Sequence, residues 1–291
     1  ILACGGFESN ETMRAELIGP EWLSAKVRGT PHNNGDGLRA AWELGAQRYG
    51  RFDGCHATPM DYFMKNYGNL KIPHGERKKY RKISYFLGVM LNKNGCRFVD
   101  EGSDFRNYTY AQLGQAILKQ PGQRAWQFFD SKVFDLLYDE YHFYDAKFEE
   151  ANTLSELLQK CDGLNPKSAE KTLLEFNASV TSPCSFDPSV KDGASSRSNG
   201  VEKSNWAQCI DTPPFRAYPV TGGITFTYGG LKVSEEGAVL DVQGEEIPNL
   251  FACGEMVGGI FFGGYPGGSG LTSGAVFGRL AGLSAALPLD C

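Results

Sequence analysis

The hydrophobic and polar positions along the chain predict two glycine-rich α/β regions separated by a mixed region. Residues 1–54 read as a buried strand, a glycine turn and two helices, the second running from Leu38 to about Arg48. The middle region favours helices near 109–119, 131–141, 153–161 and 166–179, and short strands return over 219–252, broken by glycine pairs. Each outer region lacks the sheet partners that it needs, so we expect the two to form one domain.

Local motifs fix the position of three elements in the middle region. Thr153 and Glu156 have capping-box spacing, and Asn165-Pro166 is typical of an N-cap followed by the first helical residue. Asn94-Gly95 lies between two apolar runs within 86–99, which predicts a tight hairpin. Residues 182–214 are rich in Ser, Pro, Asp and Asn and are expected to be irregular.

The end of the chain carries the most informative motif. An apolar strand stops at Gly254-Glu255, a glycine-dense loop follows over 263–270, and a helix-like run begins at Leu271. Glycine lets backbone approach a ligand closely, and a helix N-terminus favours an anion or an electron-rich ring. The loop therefore predicts a cofactor cradle. Because the chain has no phosphate loop and no G-x-G-x-x-G between a strand and a helix, the cradle resembles one half of a dinucleotide site.

Composition narrows the class of protein. The 291 residues carry a net charge of −5, which argues against nucleic acid as a partner. No run of 18 apolar residues is present, so membrane insertion is not expected. The eight cysteines are scattered, with neither metal spacing nor a disulfide pattern, which predicts reduced thiols, no metal site and a cytoplasmic location. The chain starts inside a predicted core strand, Ile1 to Gly6, which suggests a fragment.

The segments, in this order, resemble the flavoprotein subunits of the fumarate reductase and succinate dehydrogenase family. Within it they look closest to tricarballylate dehydrogenase-like FAD-binding proteins. The matching motifs span essentially the whole chain: Leu2–Phe7, Gly35–Gly37, Gly54–His56, Val89–Glu101, Asp104–Asn107, Ile117–Gly122, Gly223–Gly230 and Leu250–Gly282. The family's first FAD-binding stretch has no counterpart here, so roughly the first third of a family member is expected to be missing.

The resemblance implies an α/β fold: an incomplete, Rossmann-like flavin-binding domain with an inserted α+β capping domain. It implies a middle part of the FAD-binding domain at 1–54, a capping domain at 55–218 and a C-terminal part at 219–291. In the family the substrate lies between cap and isoalloxazine. FAD is the implied cofactor. Without the missing stretch, we expect the 291 residues alone to bind it weakly.

The resemblance also assigns cofactor-binding residues. Cys4 and Gly5 match the strand end that meets FAD, Asp36 matches a flavin-contacting aspartate, and Glu255 matches the glutamate of a Gly-Glu pair. The loop whose N–H groups face the flavin ring corresponds to Gly268, Ser269, Gly270 and Leu271. For Asp36 a helix N-cap is an equal alternative.

Three catalytic residues are implied in the same way: His56, Arg106 and Tyr265. His56 matches the histidine that binds a substrate carboxylate, and Arg106 matches the arginine that delivers or removes a substrate proton. Arginine is almost always charged, so Arg106 would need relay groups, for which Asp104 and Glu101 are the candidates. The alternatives are a packed histidine and a surface arginine beside a carboxylate.

Two residues that differ from those of fumarate reductases bear on the choice of substrate. Phe226 stands where fumarate reductases have a histidine, and Tyr265 stands where they have a carboxylate-binding arginine. Tyr265-Pro-Gly instead resembles ketosteroid 1-dehydrogenases, whose tyrosine polarises a substrate carbonyl. We therefore expect an FAD-dependent α,β-dehydrogenase, or the reverse enoyl reductase, with an unidentified electron acceptor or donor. Its small-molecule substrate is expected to bear a carboxylate or a carbonyl group and to be larger than fumarate. The alternatives are a ketosteroid 1-dehydrogenase-like enzyme and a truncated non-catalytic fragment.

Overall fold

A computed structural model of the chain describes residues 1–65, 80–181 and 186–286. The chain divides into two compact units, the first formed by 1–57 with 224–291 and the second by 58–223. The predicted domain boundaries, at 54/55 and 218/219, lie a few residues before these divisions. In the described residues, no helix combines the length and the apolar character needed to cross a membrane.

The described secondary structure comprises six helices and twelve strands. The helices are α1 (Glu11–Leu17), α2 (Asp36–Glu43), α3 (Arg106–Leu118), α4 (Leu154–Lys160), α5 (Pro166–Ala178) and α6 (Ser269–Ala286). The strands of the first part are β1 (Lys26–Val27), β2 (Arg48–Tyr49), β3 (Cys55–Asp61), β4 (Val89–Asn92), β5 (Ala125–Asp130) and β6 (Glu149–Ala151). They are followed by β7 (Ser196–Ser198), β8 (Val201–Lys203), β9 (Phe215–Thr227), β10 (Gly230–Leu231), β11 (Ala238–Leu240) and β12 (Glu246–Phe251).

The first unit brings the two ends of the sequence together. Leu2 forms a parallel bridge with Ala252, β2 pairs with β10, β11 pairs with β12, and β1 pairs with the end of β9. Helix α2 is amphipathic and buries Leu38 and Ala41 in a core that includes Phe7, Ala252 and Met256. The predicted joining of the two outer regions is physically explained by this shared core, because neither region could bury its apolar face alone.

The second unit is built on an antiparallel sheet. Strand β5 lies between β4 and β9, while β6 and β3 also pair with β9. Because successive side chains point to opposite faces, β5 contributes Trp126 and Phe128 to one apolar cluster and Phe129 to another. Both faces of the sheet are therefore covered.

The helix-start motifs are confirmed. Asn165 caps α5 by accepting a hydrogen bond from the N–H of Ser168, with Pro166 as the first helical residue. Thr153 caps α4 by accepting a hydrogen bond from the N–H of Glu156 at 3.2 Å. These short-range interactions need no tertiary partner, which is why the sequence alone predicts them.

Several element predictions were wrong, each for a physical reason. Residues 182–214 are not irregular throughout, because β7 and β8 pair with each other there. At Asn94-Gly95 the predicted tight turn forms, with Gly95 at φ +76°, but no second strand follows it in the described residues 96–99. Strand β4 pairs with β5 instead, while the Asn92 side chain accepts the N–H groups of Asn94 and Cys96. The helix expected at 131–141 is replaced by two short 3₁₀ segments, the first of which is capped by Asp130. The second helix of the first region ends at Glu43 rather than Arg48 because Gly45 adopts φ +91°.

The glycine pair Gly222-Gly223 does not interrupt its strand as expected. Strand β9 runs through it without a break from Phe215 to Thr227. A Cβ atom on Gly222 would lie 2.3 Å from the carbonyl oxygen of Gly114 in α3. The glycine thus serves the close approach of helix and strand rather than a turn.

Candidate functional site

The predicted cofactor residues at the two ends of the sequence meet at one place in the first unit. The N–H of Leu2 donates to the carbonyl of Phe251 at 2.7 Å, and the N–H of Cys253 donates to the carbonyl of Leu2 at 3.0 Å. The turn that follows is held by the N–H of Gly35, which donates to the carbonyl of Gly6 at 3.0 Å. Cys4 and Gly5 therefore follow the parallel bridge of Leu2 with Ala252, next to the start of α2 at Asp36 and to Glu255.

The turn at Gly5 and Gly6 is tightly packed. Gly5 has φ +78°, and a Cβ atom there would lie 2.7 Å from the side chain of Asn33. At Gly6 a Cβ atom would lie 2.1 Å from the hydroxyl oxygen of Thr227 and 2.4 Å from the carboxylate of Glu255. A larger residue at either position would require these side chains to move.

Glu255 is held by the end of β9. Its Oε1 accepts hydrogen bonds from the N–H of Thr227 at 2.6 Å and from the Thr227 hydroxyl at 3.0 Å. Burial raises the pKa of Glu255 well above its usual range, and the neighbouring carboxyl group of Glu8 adds to this effect. Glu8 was not predicted, because a glutamate in a strand-to-turn segment gives no sequence signal that it is buried.

Asp36 does not cap α2, so the alternative stated for it is wrong. The N-cap is Gly35, with φ +76°, and Asp36 is the first residue of the helix. Its carboxylate is exposed and forms an ion pair with Arg39 one turn along. A carboxylate in the first turn still interacts favourably with the helix dipole.

The glycine loop before α6 forms an open groove. Gly268 has φ +89° with open space where a Cβ atom would stand, and Leu271 is 83% exposed. The groove has a volume of about 510 Å³ and is mostly apolar, its lining formed by Ile260, Gly267, Gly268, Ser269, Thr272, Ser273, Val276 and Phe277. An open apolar groove at a helix N-terminus suits a flat ring system.

Tyr265 reaches back onto this helix end. Its hydroxyl accepts a hydrogen bond from the N–H of Gly270 at 3.0 Å, while the N–H of Ser269 donates to the carbonyl of Pro266. Two N–H groups of the predicted cradle therefore have partners within the protein. The Tyr265 hydroxyl keeps its own proton to donate elsewhere.

His56 and Tyr265, both predicted as catalytic, are in direct contact. Their rings meet edge to face with centroids 4.5 Å apart. Tyr265 also packs against Phe226 at 5.3 Å and Phe261 at 4.7 Å. Phe226 and Tyr265, which stand where fumarate reductases have a histidine and an arginine, thus form part of an aromatic wall.

The electrostatics around this pair favour neutral side chains. His56 is 2% exposed, and its burial together with the charge of Arg28 lowers its pKa to about 3. Partial burial raises the pKa of Tyr265. At neutral pH His56 is therefore an uncharged hydrogen-bonding group. Sequence reasoning missed Arg28, whose backbone N–H donates to Ile224 in β9 at 2.8 Å.

Arg106 is the first residue of α3 in the second unit. Its Nε donates to the hydroxyl of Tyr138 at 3.1 Å, and its guanidinium lies 5.1 Å from the Tyr138 ring and 5.7 Å from that of Tyr110. It lines a small cavity of about 140 Å³ together with Phe86, Phe105, Asn107, Tyr138, Pro188 and Trp206. The arginine is thus held by aromatic groups, with part of its surface on a cavity.

The two carboxylates expected to relay protons for Arg106 are engaged elsewhere. Glu101 is buried in an ion pair with Arg97 and accepts the N–H of Met90 at 2.7 Å. Asp104 forms an ion pair with Lys191 at 2.7 Å, and this hydrogen bond lowers the pKa of Asp104. The nearest observed polar partner of Arg106 is a tyrosine hydroxyl instead.

The cysteines of the described ranges are not joined in disulfides. Cys4, Cys55, Cys96, Cys161, Cys209 and Cys253 are free thiols. Within the part of the chain that the structure describes, no group of three or more His, Cys, Asp or Glu could hold a metal ion.

Known proteins with similar sequences or structures are flavoenzymes. The family model for an FAD binding domain matches residues 1–271. A probable fumarate reductase of Shewanella frigidimarina is 30% identical over 98% of this chain and 44% of its own length. A 3-oxosteroid 1-dehydrogenase of Mycobacterium tuberculosis is 28% identical over 97% of this chain and 52% of its own length.

A solved structure extends the comparison to the fold. The 3-ketosteroid Δ1-dehydrogenase of Sterolibacterium denitrificans, in complex with 1,4-androstadiene-3,17-dione, superposes with a TM-score of 0.69 at 26% identity. The match covers 97% of this chain and 52% of that structure. The chain thus spans about half the length of the curated relatives that it matches.

The predicted resemblance to the fumarate reductase flavoprotein family and the predicted α/β flavin-binding fold are confirmed by these matches. The predicted cofactor, FAD, is that of the matching family. Because the family model covers most of the sequence, the chain belongs to the FAD-binding domain family.

Proposed function

We propose that this chain is the substrate-binding part of an FAD-dependent oxidoreductase that removes two hydrogens from a CH–CH bond next to a carbonyl or carboxylate group, or adds them across the corresponding C=C bond. The observation that carries this proposal is the Tyr265 hydroxyl, held on the N–H of Gly270 at the start of α6 and in ring contact with His56. This pair lies in the same unit as the turn at Gly5 and the Gly268 groove.

The residues present fit FAD. The turn at Gly5 and Gly6 is tightly packed, while Gly268 leaves open space in front of an apolar groove. We therefore propose that Cys4, Gly5, Asp36 and Glu255 bind the polar part of FAD, and that Gly268, Ser269, Gly270 and Leu271 lie against its ring. When bound, FAD supplies hydride transfer to or from the substrate.

Tyr265 is proposed to polarise the substrate carbonyl. Because its oxygen accepts the Gly270 N–H, its proton is available to a carbonyl oxygen, and negative charge developing on that oxygen would be stabilised. His56, uncharged at neutral pH, is proposed to orient the substrate by hydrogen bonding rather than as a cation.

Arg106 is proposed to bind a carboxylate or to handle the substrate proton. Its planar guanidinium is fixed by the Tyr138 hydroxyl and by two aromatic faces, so little rotamer freedom is lost when it binds an anion. The Tyr138 hydroxyl is the polar group through which a proton could reach it.

The substrate is proposed to be a carboxylate-bearing compound with a larger apolar part than fumarate. Phe226, Phe261 and Tyr265 form an aromatic wall with ring centroids 4.7 to 5.4 Å apart. The same wall and the Tyr265 hydroxyl favour a second candidate, a ketosteroid-like substrate without a carboxylate. Tricarballylate-like specificity remains part of the first proposal.

The reaction also requires an electron acceptor or donor, because dehydrogenation releases two electrons with each pair of hydrogens. No nucleic acid is expected among the partners of a chain with net charge −5. The cytoplasmic location predicted from the cysteine pattern remains a prediction.

The proposal is tested with the full-length product of the gene. The protein is loaded with FAD and assayed with an artificial electron acceptor for dehydrogenation and with a reduced dye for the reverse reaction. Activity on a carboxylate or ketone with an adjacent CH–CH bond, lost in Tyr265→Phe, supports it. FAD-loaded protein that is inactive on both classes would overturn it.

A further inference from the structure

Two carboxyl groups lie together in the interior of the first unit. Glu8 is 3% exposed, and its carboxyl group is within hydrogen-bonding reach of that of Glu255. Glu255 is partly exposed as a whole residue, but its carboxylate points inwards onto Thr227. The sequence places the two residues almost at opposite ends of the chain.

One buried oxygen of the pair has no hydrogen-bond donor among the described residues. Oε1 of Glu255 accepts two hydrogen bonds from Thr227, and Oε1 of Glu8 accepts one from Asn33. Oε2 of Glu8 is buried and has no hydrogen-bond partner among the described residues. A buried carboxylate oxygen without a donor is costly, and a proton on Glu255 would provide that donor.

The charged surroundings do not neutralise the pair. Arg14 is the cation that faces it, but its guanidinium N–H groups donate to the carbonyls of Glu8, Trp22 and Leu23. The other titratable neighbour is Tyr265, and the Glu255 charge raises the pKa of that phenol. Burial raises the pKa of Glu8, because its effect is larger than the opposite effect of the Arg14 charge. The pKa of Glu255 is raised further still, first by burial and then by Glu8.

We propose that Glu8 is a positioning residue that shares a single proton with Glu255, and that this acid pair holds the Gly5–Gly6 turn in its cofactor-binding shape. Gly6 packs directly on the pair, since a Cβ atom there would lie 2.4 Å from Oε1 of Glu255. Loss of the shared proton leaves two carboxylates in contact, and their repulsion displaces the turn. The link to the cofactor rests on the proposed function, whereas the shared proton does not.

The shared proton is tested by infrared spectroscopy on the full-length protein without FAD. We expect a protonated-carboxyl C=O band at about pH 7, shifted by deuterium exchange, because ordinary glutamates are ionised there. The band should titrate at a lower pH in Glu8→Gln and disappear in Glu255→Gln. Glu16→Gln, an exposed glutamate of α1, is the matched control and should leave it unchanged.

Two infrared results would contradict the acid pair. A wild-type protein without a protonated-carboxyl band at about pH 7 overturns the acid pair, even if either variant fails to fold. A band that neither substitution affects overturns it as well, because the proton then belongs to another residue.

The link to the cofactor is tested by measuring the FAD dissociation constant from about pH 5 to about pH 9. If binding requires the shared proton, the dissociation constant rises about tenfold per pH unit above the pKa of the pair. Glu8→Gln should flatten this dependence and Glu16→Gln should keep it. A pH-independent dissociation constant, or no FAD binding at any pH, overturns the link. Inactive protein that still shows the band and the pH-dependent binding contradicts only the proposed function.

Discussion

The backbone N–H of Gly270 donates a hydrogen bond to the hydroxyl of Tyr265 at 3.0 Å, joining a candidate catalytic group to the first turn of α6. The two residues depend on each other sterically as well. A Cβ atom on Gly270 would lie 2.1 Å from the Tyr265 oxygen, closer than any real contact. The orientation of the phenol is thus set by a residue that has no side chain.

This relationship predicts that Gly270→Ala lowers turnover by at least about tenfold, because displacing a positioned group by around 1 Å is costly in catalysis. The measurement is steady-state kinetics on the FAD-loaded full-length protein. Gly282→Ala, in the same helix but facing open space, is the control and should retain wild-type turnover. Equal turnover in both variants would remove Tyr265 from the mechanism.

A second prediction concerns the groove. Gly268→Val should abolish FAD retention, since a branched side chain would enter the open space in front of the groove. The readout is the FAD content of the purified full-length protein from its visible spectrum. Gly244→Val is the matched control, because Gly244 also has φ +89° with open space and lies outside the groove. FAD retention at wild-type occupancy in Gly268→Val would show that the loop does not contact the cofactor.

The sequence predicted those parts of the fold that depend on short-range or strongly specific patterns. Helix caps such as Asn165 and Thr153 depend on neighbouring residues only. The Gly254–Gly270 motif predicts a cofactor loop from its glycine density, and this assignment stays a prediction. By contrast, the pairing of β4 with β5 and the continuity of β9 through Gly222 depend on residues far apart in sequence.

In the candidate site, too, the residues in recognisable motifs were predicted, and the contacts between residues far apart in sequence were not. Tyr265 and His56 were found from motif positions, and the structure places their rings 4.5 Å apart. Glu8 could not be found, because nothing in its local sequence tells a buried charged residue from an exposed one. Arg28 could not be found either, because only the fold brings its charge near His56. The relay groups proposed for Arg106 failed for a related reason: Glu101 and Asp104 have partners, Arg97 and Lys191, that only the fold brings near.

A third prediction concerns Arg106. Arg106→Lys should lower turnover by more than about tenfold, since lysine keeps the charge but loses the planar fork and the Nε that binds Tyr138. A loss mainly in kcat indicates action in the transition state, and a loss mainly in KM indicates substrate binding. Arg197→Lys, an exposed arginine of β7, serves as the control. Turnover within about twofold of wild type would exclude Arg106 from the reaction.

A fourth prediction concerns the pH dependence of stability. The pKa of His56 is lowered to about 3 in the folded chain, so between that value and the ordinary pKa of histidine the unfolded state binds more protons. The contribution of His56 is therefore fully present above about pH 6.5 and is lost as pH falls, by at most roughly 1.4 kcal/mol per pH unit.

The test is the free energy of unfolding in urea between about pH 4 and pH 7, compared for wild type and His56→Gln. The difference between the two should shrink as pH falls. His32→Gln, the substitution of an exposed histidine in the same unit, provides the control. In addition, Arg28→Gln should raise the pKa of His56 in an NMR titration by removing a nearby positive charge. A pH-independent difference between wild type and His56→Gln would mean that the histidine is not held neutral by the fold.

The last prediction concerns substrate choice. With Phe226, Phe261 and Tyr265 forming an aromatic wall, a second substrate carboxylate placed against it would meet aromatic rings, where fumarate reductases offer a histidine and an arginine. Leaving a carboxylate without a partner costs several kcal/mol, which corresponds to about a thousandfold discrimination. Fumarate and succinate should therefore be turned over negligibly, compared with a larger monocarboxylate or a cyclic ketone. The assay offers succinate, fumarate, tricarballylate and a 3-ketosteroid side by side to the FAD-loaded full-length protein. Rapid turnover of succinate or fumarate would contradict the aromatic-wall argument, whereas a preference for the steroid would make Tyr265, rather than Arg106, the central catalytic group.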